Sequence, residues 1–335
     1  MSQNSLFPKK ILDCLKRPGG SQDDIMEIVE GGLKCANTGE FFANERSVPF
    51  LFKETDGDRK HITDTIKNFY EENPFPSYEG LEDFGNLVNK GSSNSFSNGL
   101  LQSIGFNKLI LECGCGTGQL SNFLQLNNNY TLGIDLSLSS LSLAIEHKTR
   151  NELSRSSFAQ MNIFNMAIKD EVFDVVISHG VLHHTFNAKR AFSHIIQKLK
   201  PGGIVVIGLY NRYARIMTWL RSKLMPVFGP NIDYIIRNKA IDPKKREIWI
   251  ADQYYNPHET WHSIGEVIGW FDENNIEYIN CSPPILGSHT NTGPNGMFTA
   301  SDPAGSYERL ITQLGWIGSI SREGALFDVI GRKAS

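Results

Sequence analysis

A buried strand that runs straight into three glycines and then a helix constrains this chain more than any other feature. Residues 108–120 read KLILECGCGTGQL. KLILEC (108–113) is an apolar run of strand length, and a helix is expected from about Gly118. Gly114, Gly116 and Gly118 let the backbone turn sharply and approach a ligand closely, with helix N–H groups facing it. Seventeen residues after Gly118, Asp135 ends the next apolar run, where a carboxylate can accept both hydroxyls of a ribose. Taken alone, a glycine turn plus an acidic residue fits a dinucleotide equally well.

Short apolar runs then alternate with helical patterns. YTLGID (130–135), SFAQM (157–161), FDVVIS (173–178) and IVVIGLY (204–210) read as strands, with LKPGG (199–203) as a turn before the last. Helices are expected at SLSSLSLAIEHKT and from about Ala188 to Leu199. After about fifty residues the rhythm resumes. Ile264, Val267, Ile268 and Phe271 form one helical face, and EYINCS (277–282) and LFDVIGR (326–332) supply two final strands. The expectation is an α/β fold with a doubly wound, seven-stranded, mostly parallel sheet, whose ligands sit at the carboxyl ends of the strands. Three segments divide the chain: a small unit at 1–60, a helical and aromatic stretch with a linker at 61–106, and the main domain at 107–335. NKGSSNSFSNG (89–99) reads by composition as loop or linker, and 211–262 as an insertion after the fifth strand.

ECGCGTG, the Asp of TLGIDLS, FDVVISHGVLHH and LKPGG stand in an order and spacing that resembles the class I S-adenosylmethionine-dependent methyltransferases, with their Rossmann-like fold. The closest branch is that of the ubiquinone and menaquinone C-methyltransferases, and the likeness covers about 107–210 well. The resemblance implies S-adenosyl-L-methionine as cofactor. It implies that Gly114, Gly116 and Gly118 pass under its methionine part, that Glu112 helps orient it, and that Ser178 and His179 border it. Asp135 would hold the ribose, with Leu136 against the adenine. Asn162, beside Ile163, stands where the family usually has Asp, and its carbonyl could accept the hydrogen bond of the adenine amino group. Tyr70, Phe75 and Tyr78 in FYEENPFPSY (69–78) resemble an aromatic segment that folds over the cofactor. Asp174 reads as a structural residue that opens a strand.

Methyl transfer needs alignment and, for a protonated acceptor, a base. His183 and His184 in GVLHHT fall just past the fourth strand, where either could be that base or cap the next helix. Tyr210, Asn211 and Arg212 leave the fifth strand at the same edge and are candidate substrate contacts, as is Tyr78.

NPHETWHS (256–263) contains a literal H-E-x-x-H, the zinc-peptidase pattern, which needs both histidines one turn apart on a helix. Ser263 and Glu266 form an S-x-x-E capping box, so the helix begins after the motif and leaves His258 and His262 in a loop. No metal site is expected. His258, Glu259 and His262 read either as substrate-binding or acid–base groups or as a structural loop.

The first unit resembles a small zinc ribbon, but Arg17 and Thr38 stand where the partners of Cys14 and Cys35 would be, so a metal-free module is expected. Five scattered cysteines and no apolar run of signal or membrane length point to a cytoplasmic protein. The net charge of −3 conceals an asymmetry. Between Asn211 and Ile250, nine basic residues face three acidic ones, a net of +6, which leaves −9 for the remainder. The insertion therefore reads as a solvated cap, a site for an anionic substrate, or a membrane-interface helix. The expected function is methyl transfer to a small molecule, with homo-oligomerisation open and nucleic acid disfavoured by the net charge. The alternatives are an RNA methyltransferase, after the ribbon-like start, and a non-catalytic cofactor-binding module.

Overall fold

The computed structural model describes residues 7–54, 60–237, 243–287 and 296–335. Parts of the first unit (1–6 and 55–59), of the insertion (238–242, with Lys239 and Asp242) and of the loop at 288–295 lie outside the described residues.

The first unit holds a one-turn helix, α1 (Lys9–Leu12), and a four-stranded antiparallel sheet of β1 (Met26–Val29), β2 (Gly32–Cys35), β3 (Phe41–Glu45) and β4 (Val48–Pro49). Its Cys14 and Cys35 are buried in the main core beside Ile11, Leu15 and Leu33. Leu15 pairs antiparallel with Ile168, and Phe50 pairs parallel with Gln160. The unit thereby covers the edge of the large sheet, whose open N–H and C=O groups would otherwise face solvent or another chain.

Three helices follow, α2 (Lys60–Glu72), α3 (Phe84–Ser93) and α4 (Ser95–Ile104). The last two occupy the stretch that composition marks as a linker. Asp83 caps α3 by accepting from Gly85 N and Asn86 N, and Asn94 caps α4 by accepting from Ser97 N. Leu87, Leu100, Leu101 and Ile104 are buried, and Gly91 lies so close to Phe123 that a Cβ would sit 2.5 Å from its ring. Polar composition is a weak guide here because caps and a few buried apolar residues outweigh it.

The main domain runs β5 (Leu109–Cys113), α5 (Gln119–Leu124), β6 (Tyr130–Asp135), α6 (Leu138–Arg150), β7 (Ser156–Gln160), β8 (Phe173–His179), α7 (Ala188–Ile196) and β9 (Leu199–Tyr210). The insertion contributes α8 (Arg215–Phe228), α9 (Tyr234–Arg237) and α10 (Pro243–Tyr254). The chain closes with α11 (Ile264–Glu273), β10 (Ile276–Ser282), α12 (Ser306–Trp316) and β11 (Leu326–Lys333). The seven-stranded sheet has the order β10-β11-β9-β8-β5-β6-β7, parallel except that β11 runs antiparallel to both neighbours. Strand order reverses at β5, so a crevice opens above the carboxyl ends of β5, β6 and β8.

LKPGG is not a separate turn. β9 extends through it, and a register shift between Phe173 and Val175 absorbs the irregularity against β8. Asp174 is structural: its carboxylate accepts from Leu109 N at 2.8 Å and pairs with Lys200 at 2.8 Å. No helix among the described residues is long and apolar enough to cross a membrane.

Candidate active site

The crevice holds a cavity of about 470 Å³ that extends from the glycine turn to the insertion. At one end Gly114 and Gly116 have positive φ, +77° and +51°. A Cβ on Gly114 would overlap Val181, and one on Gly116 would overlap the carbonyl oxygen of Phe75. Only glycine allows both the turn and the close approach of the segment above it. Gly118 has a different task. It caps α5 at φ +75°, and a Cβ there would lie 2.5 Å from Phe158, outside the cavity lining.

Segment 75–77 lies over this turn. Thr117 N donates to Phe75 O (3.2 Å), Thr117 Oγ1 to Pro76 O (2.7 Å) and Gln119 Nε2 to Ser77 O (2.8 Å). From α2, Glu71 accepts from Leu138 N and Ser139 N at the start of α6, a favourable place for a carboxylate. Ser137 Oγ donates to Tyr70 O, so the covering segment is tied to the loop that carries Asp135.

Asp135 accepts from Gly116 N and Ser137 N, both at 2.9 Å. Burial pushes its carboxyl above the usual range, and those backbone bonds oppose the shift. Glu112 is likewise pushed up by burial, to about 7, against a hydrogen bond from Ser121 Oγ. Leu136, Ile163 and His179 also line the cavity. Burial depresses the His179 imidazole, but Asp328, 2.7 Å from Nδ1, more than offsets it and leaves the pKa raised. Ser178 is fully buried beneath the lining, its Oγ donating to Cys113 O.

Asn162 differs from the expected arrangement. Its Oδ1 accepts from Phe164 N at 3.0 Å, while its buried Nδ2 has no partner. The backbone N–H fixes the amide orientation, so the side-chain atom left without a partner is a donor, suited to a ring nitrogen rather than an amino group.

At the other end the lining comprises Tyr70, His184, Tyr210, Trp249, Asp252 and Gln253. Tyr70 Oη donates to Asp252 Oδ1 (3.0 Å), and Gln253 Nε2 donates to Asp252 Oδ2 and to Tyr210 Oη (both 2.9 Å). His184 Nδ1 faces the carbonyl of His258 at 2.8 Å, so Nδ1 carries the proton and Nε2 the lone pair. Burial lowers the His184 pKa, with Asp252 opposing.

HETWH forms a clip on this turn. Thr260 N and Oγ1 both donate to His183 O, and His258 Nε2 donates to Thr185 O. Glu259 holds Arg215 through two bonds (3.1 and 2.6 Å), and that guanidinium lies 3.8 Å from the Tyr210 ring centroid. His262 is engaged by Thr260 Oγ1 and Glu266 (both 2.8 Å). Helix α11 starts at the Ser263 cap, which accepts from Glu266 N; the Glu266 side chain instead serves His262 and Arg212.

Several candidate residues therefore stand outside the cavity lining. His258, Glu259 and His262 position others. His183 is fully buried, stacked 3.9 Å from Tyr210, with both ring nitrogens unpartnered. Asn211 caps the first turn of the insertion through Tyr213 N and Ala214 N, Arg212 pairs with Glu266, and Tyr78 stacks on His147. None of the described basic residues of the insertion lines the cavity. Sequence reasoning did not single out Trp249, Asp252 and Gln253. Their i, i+3, i+4 spacing in REIWIADQ, one helix face, was the available signal.

A family model described as a methyltransferase domain matches residues 106–256. The match covers somewhat less than half of the chain and supports a methyltransferase domain there, in line with the resemblance to the class I S-adenosylmethionine-dependent methyltransferases. An uncharacterized protein of Synechococcus sp. is 30% identical over 273 residues, 72% of this chain and 64% of that protein. A ubiquinone biosynthesis O-methyltransferase of Cronobacter sakazakii is 27% identical over 56% of this chain and 67% of its own length. A phosphoethanolamine N-methyltransferase of Triticum aestivum is 31% identical over 31% of the chain and 20% of its own. The chain spans 64%, 67% and 42% of the length of the first three relatives it matches. Among solved structures, phosphoethanolamine N-methyltransferase 2 of Haemonchus contortus superposes with a TM-score of 0.48 at 13% identity, covering 81% of this chain and 60% of that one. The family cofactor is S-adenosylmethionine, and the site fits it: two glycines leave room that a Cβ would fill, two carboxyl groups face the cavity, and Asn162 Nδ2 is an unpaired donor.

Proposed function

We propose that this chain transfers the methyl group of S-adenosylmethionine to a small-molecule acceptor held between β9 and α10. One observation carries the reading: a single cavity joins Gly114, Gly116, Asp135 and Asn162 to the polar group of Tyr70, His184, Tyr210 and Asp252. The cofactor supplies an electrophilic methyl carbon on a cationic sulfur, and the reaction is an in-line displacement. Asp135 grips the ribose, Asn162 the adenine edge, and Glu112 the amino group of the methionine part. His184 acts as general base. Its Nδ1 is held by the His258 carbonyl, and its depressed pKa keeps Nε2 free to take the acceptor's proton at neutral pH. The segment over the glycine turn excludes water from the reacting centre.

The test is transfer of radiolabelled methyl into a cell extract separated into small-molecule, RNA and protein fractions. Label is expected in small molecules, and label in RNA would overturn the reading. His184→Gln should lower turnover by roughly 100- to 1,000-fold while S-adenosylhomocysteine affinity stays within about twofold. Loss of that affinity would make His184 a structural residue instead.

A further inference from the structure

We infer that the acceptor is an organic ammonium ion, recognised by Asp252 within an enclosure of aromatic rings; the inference rests on the methyltransferase reading above. Asp252 is only 6% exposed, and its recorded partners are all neutral: Tyr70 Oη at 3.0 Å, Gln253 Nε2 at 2.9 Å and Tyr210 Oη at 3.5 Å. The nearby guanidinium of Arg215 is committed elsewhere. It forms two bonds to Glu259 and gives its other donors to the side chain and carbonyl of Gln253 and to Gly324 O. Arg215 and Glu259 pair with each other, so the carboxyl of Asp252 has no ion-pair partner among the described residues. A buried carboxylate left without a cation is costly, and a cationic ligand removes that cost.

The surroundings suit such a ligand. Tyr70, Trp249 and Phe186 line the cavity, and an ammonium is attracted to ring faces as well as to the carboxylate. Lys90 is the one lysine or arginine in the lining among the described residues, and it is bound to Gln119 beside the glycine turn, away from Asp252. An anionic acceptor would meet Asp252 with no cation to offset it.

The chemistry closes with the groups present. The ammonium gives one proton to His184 Nε2. The freed lone pair forms the N–C bond as the C–S bond breaks, leaving a neutral thioether and a methylated ammonium. The imidazolium then loses its proton to water.

The experiment is calorimetric titration of the full chain loaded with S-adenosylhomocysteine. Two matched probe sets are used: 2-phenylethylamine, 2-phenylethanol and phenylacetate, and butylamine, butanol and butyrate. In at least one set the amine should bind about tenfold or more tightly than its alcohol and acid. Asp252→Asn should shrink that preference to within about twofold, and Trp249→Leu should weaken the amine about fivefold at an unchanged melting temperature. The inference is overturned if in neither set the amine binds more tightly than its alcohol and acid, if the preference survives Asp252→Asn, or if neither set binds to protein that holds S-adenosylhomocysteine. Failure of the loading step itself would strike the methyltransferase reading instead.

Discussion

The two ends of the cavity are built by different means. The end at the glycine turn is largely backbone: two left-handed glycines, the starts of α5 and α6, and a covering segment fixed through its carbonyls. The opposite end is side chains from α2, the turn after β8, the end of β9 and the insertion, held by a buried ion pair and a chain of hydrogen bonds from Glu259 through Arg215 and Gln253 to Asp252 and Tyr70. Backbone geometry tolerates change in most side chains around it. A polar network transmits the loss of any one member to the others.

The comparison is most sharply tested at Arg215, 1% exposed and the centre of the network. Arg215→Ala leaves Glu259 without its partner and should cost about 3–5 kcal/mol of stability, read by urea unfolding. If the ends are separable, folded Arg215→Ala at low temperature should still bind S-adenosylhomocysteine. Next comes Gly116→Ala, where the added methyl meets the Phe75 carbonyl and φ is +51°. Cofactor affinity measured by calorimetry should fall about 100-fold, while stability changes by about 1–2 kcal/mol. An equal loss of acceptor binding would show that the two ends act as one unit.

The smallest effect concerns His183, whose pKa burial pushes well below the ordinary value. A group depressed in the folded state contributes stability above its unfolded value of about 6.5 and loses it as pH falls below that. His183→Phe keeps the ring on Tyr210 but cannot titrate. It should match wild type to within about 1 kcal/mol at pH 8 and exceed it by up to about 2 kcal/mol at pH 5. Comparing variant with wild type cancels the opposite contribution of Glu112, whose carboxyl is raised to about 7. A pH-independent difference would mean that His183 is charged or solvated in the folded protein.

The same contrast governs what the sequence makes legible. Gly114, Gly116 and Asp135 are recognisable because backbone constraints leave little choice of residue at each position. The start of α11 was equally readable, since Ser263 caps it locally. The chain placed at 89–99 was not: its two helices depend on Asp83, Asn94 and the fit of Gly91 against Phe123, a contact made across 32 residues of sequence. Nor could sequence show what His258 and Glu259 hold, because their partners Thr185 and Arg215 are settled only by tertiary packing, whereas His262 meets Glu266 only four residues on.

The segment over the glycine turn has a kinetic consequence. Phe75, Pro76 and Ser77 are latched by Thr117 and Gln119, residues of the turn and helix that cradle the cofactor. On the reading above, spent cofactor leaves only when those bonds open, so exchange competes with methyl transfer as the slow step. Turnover would then track the cellular ratio of fresh to demethylated cofactor more closely than the supply of acceptor.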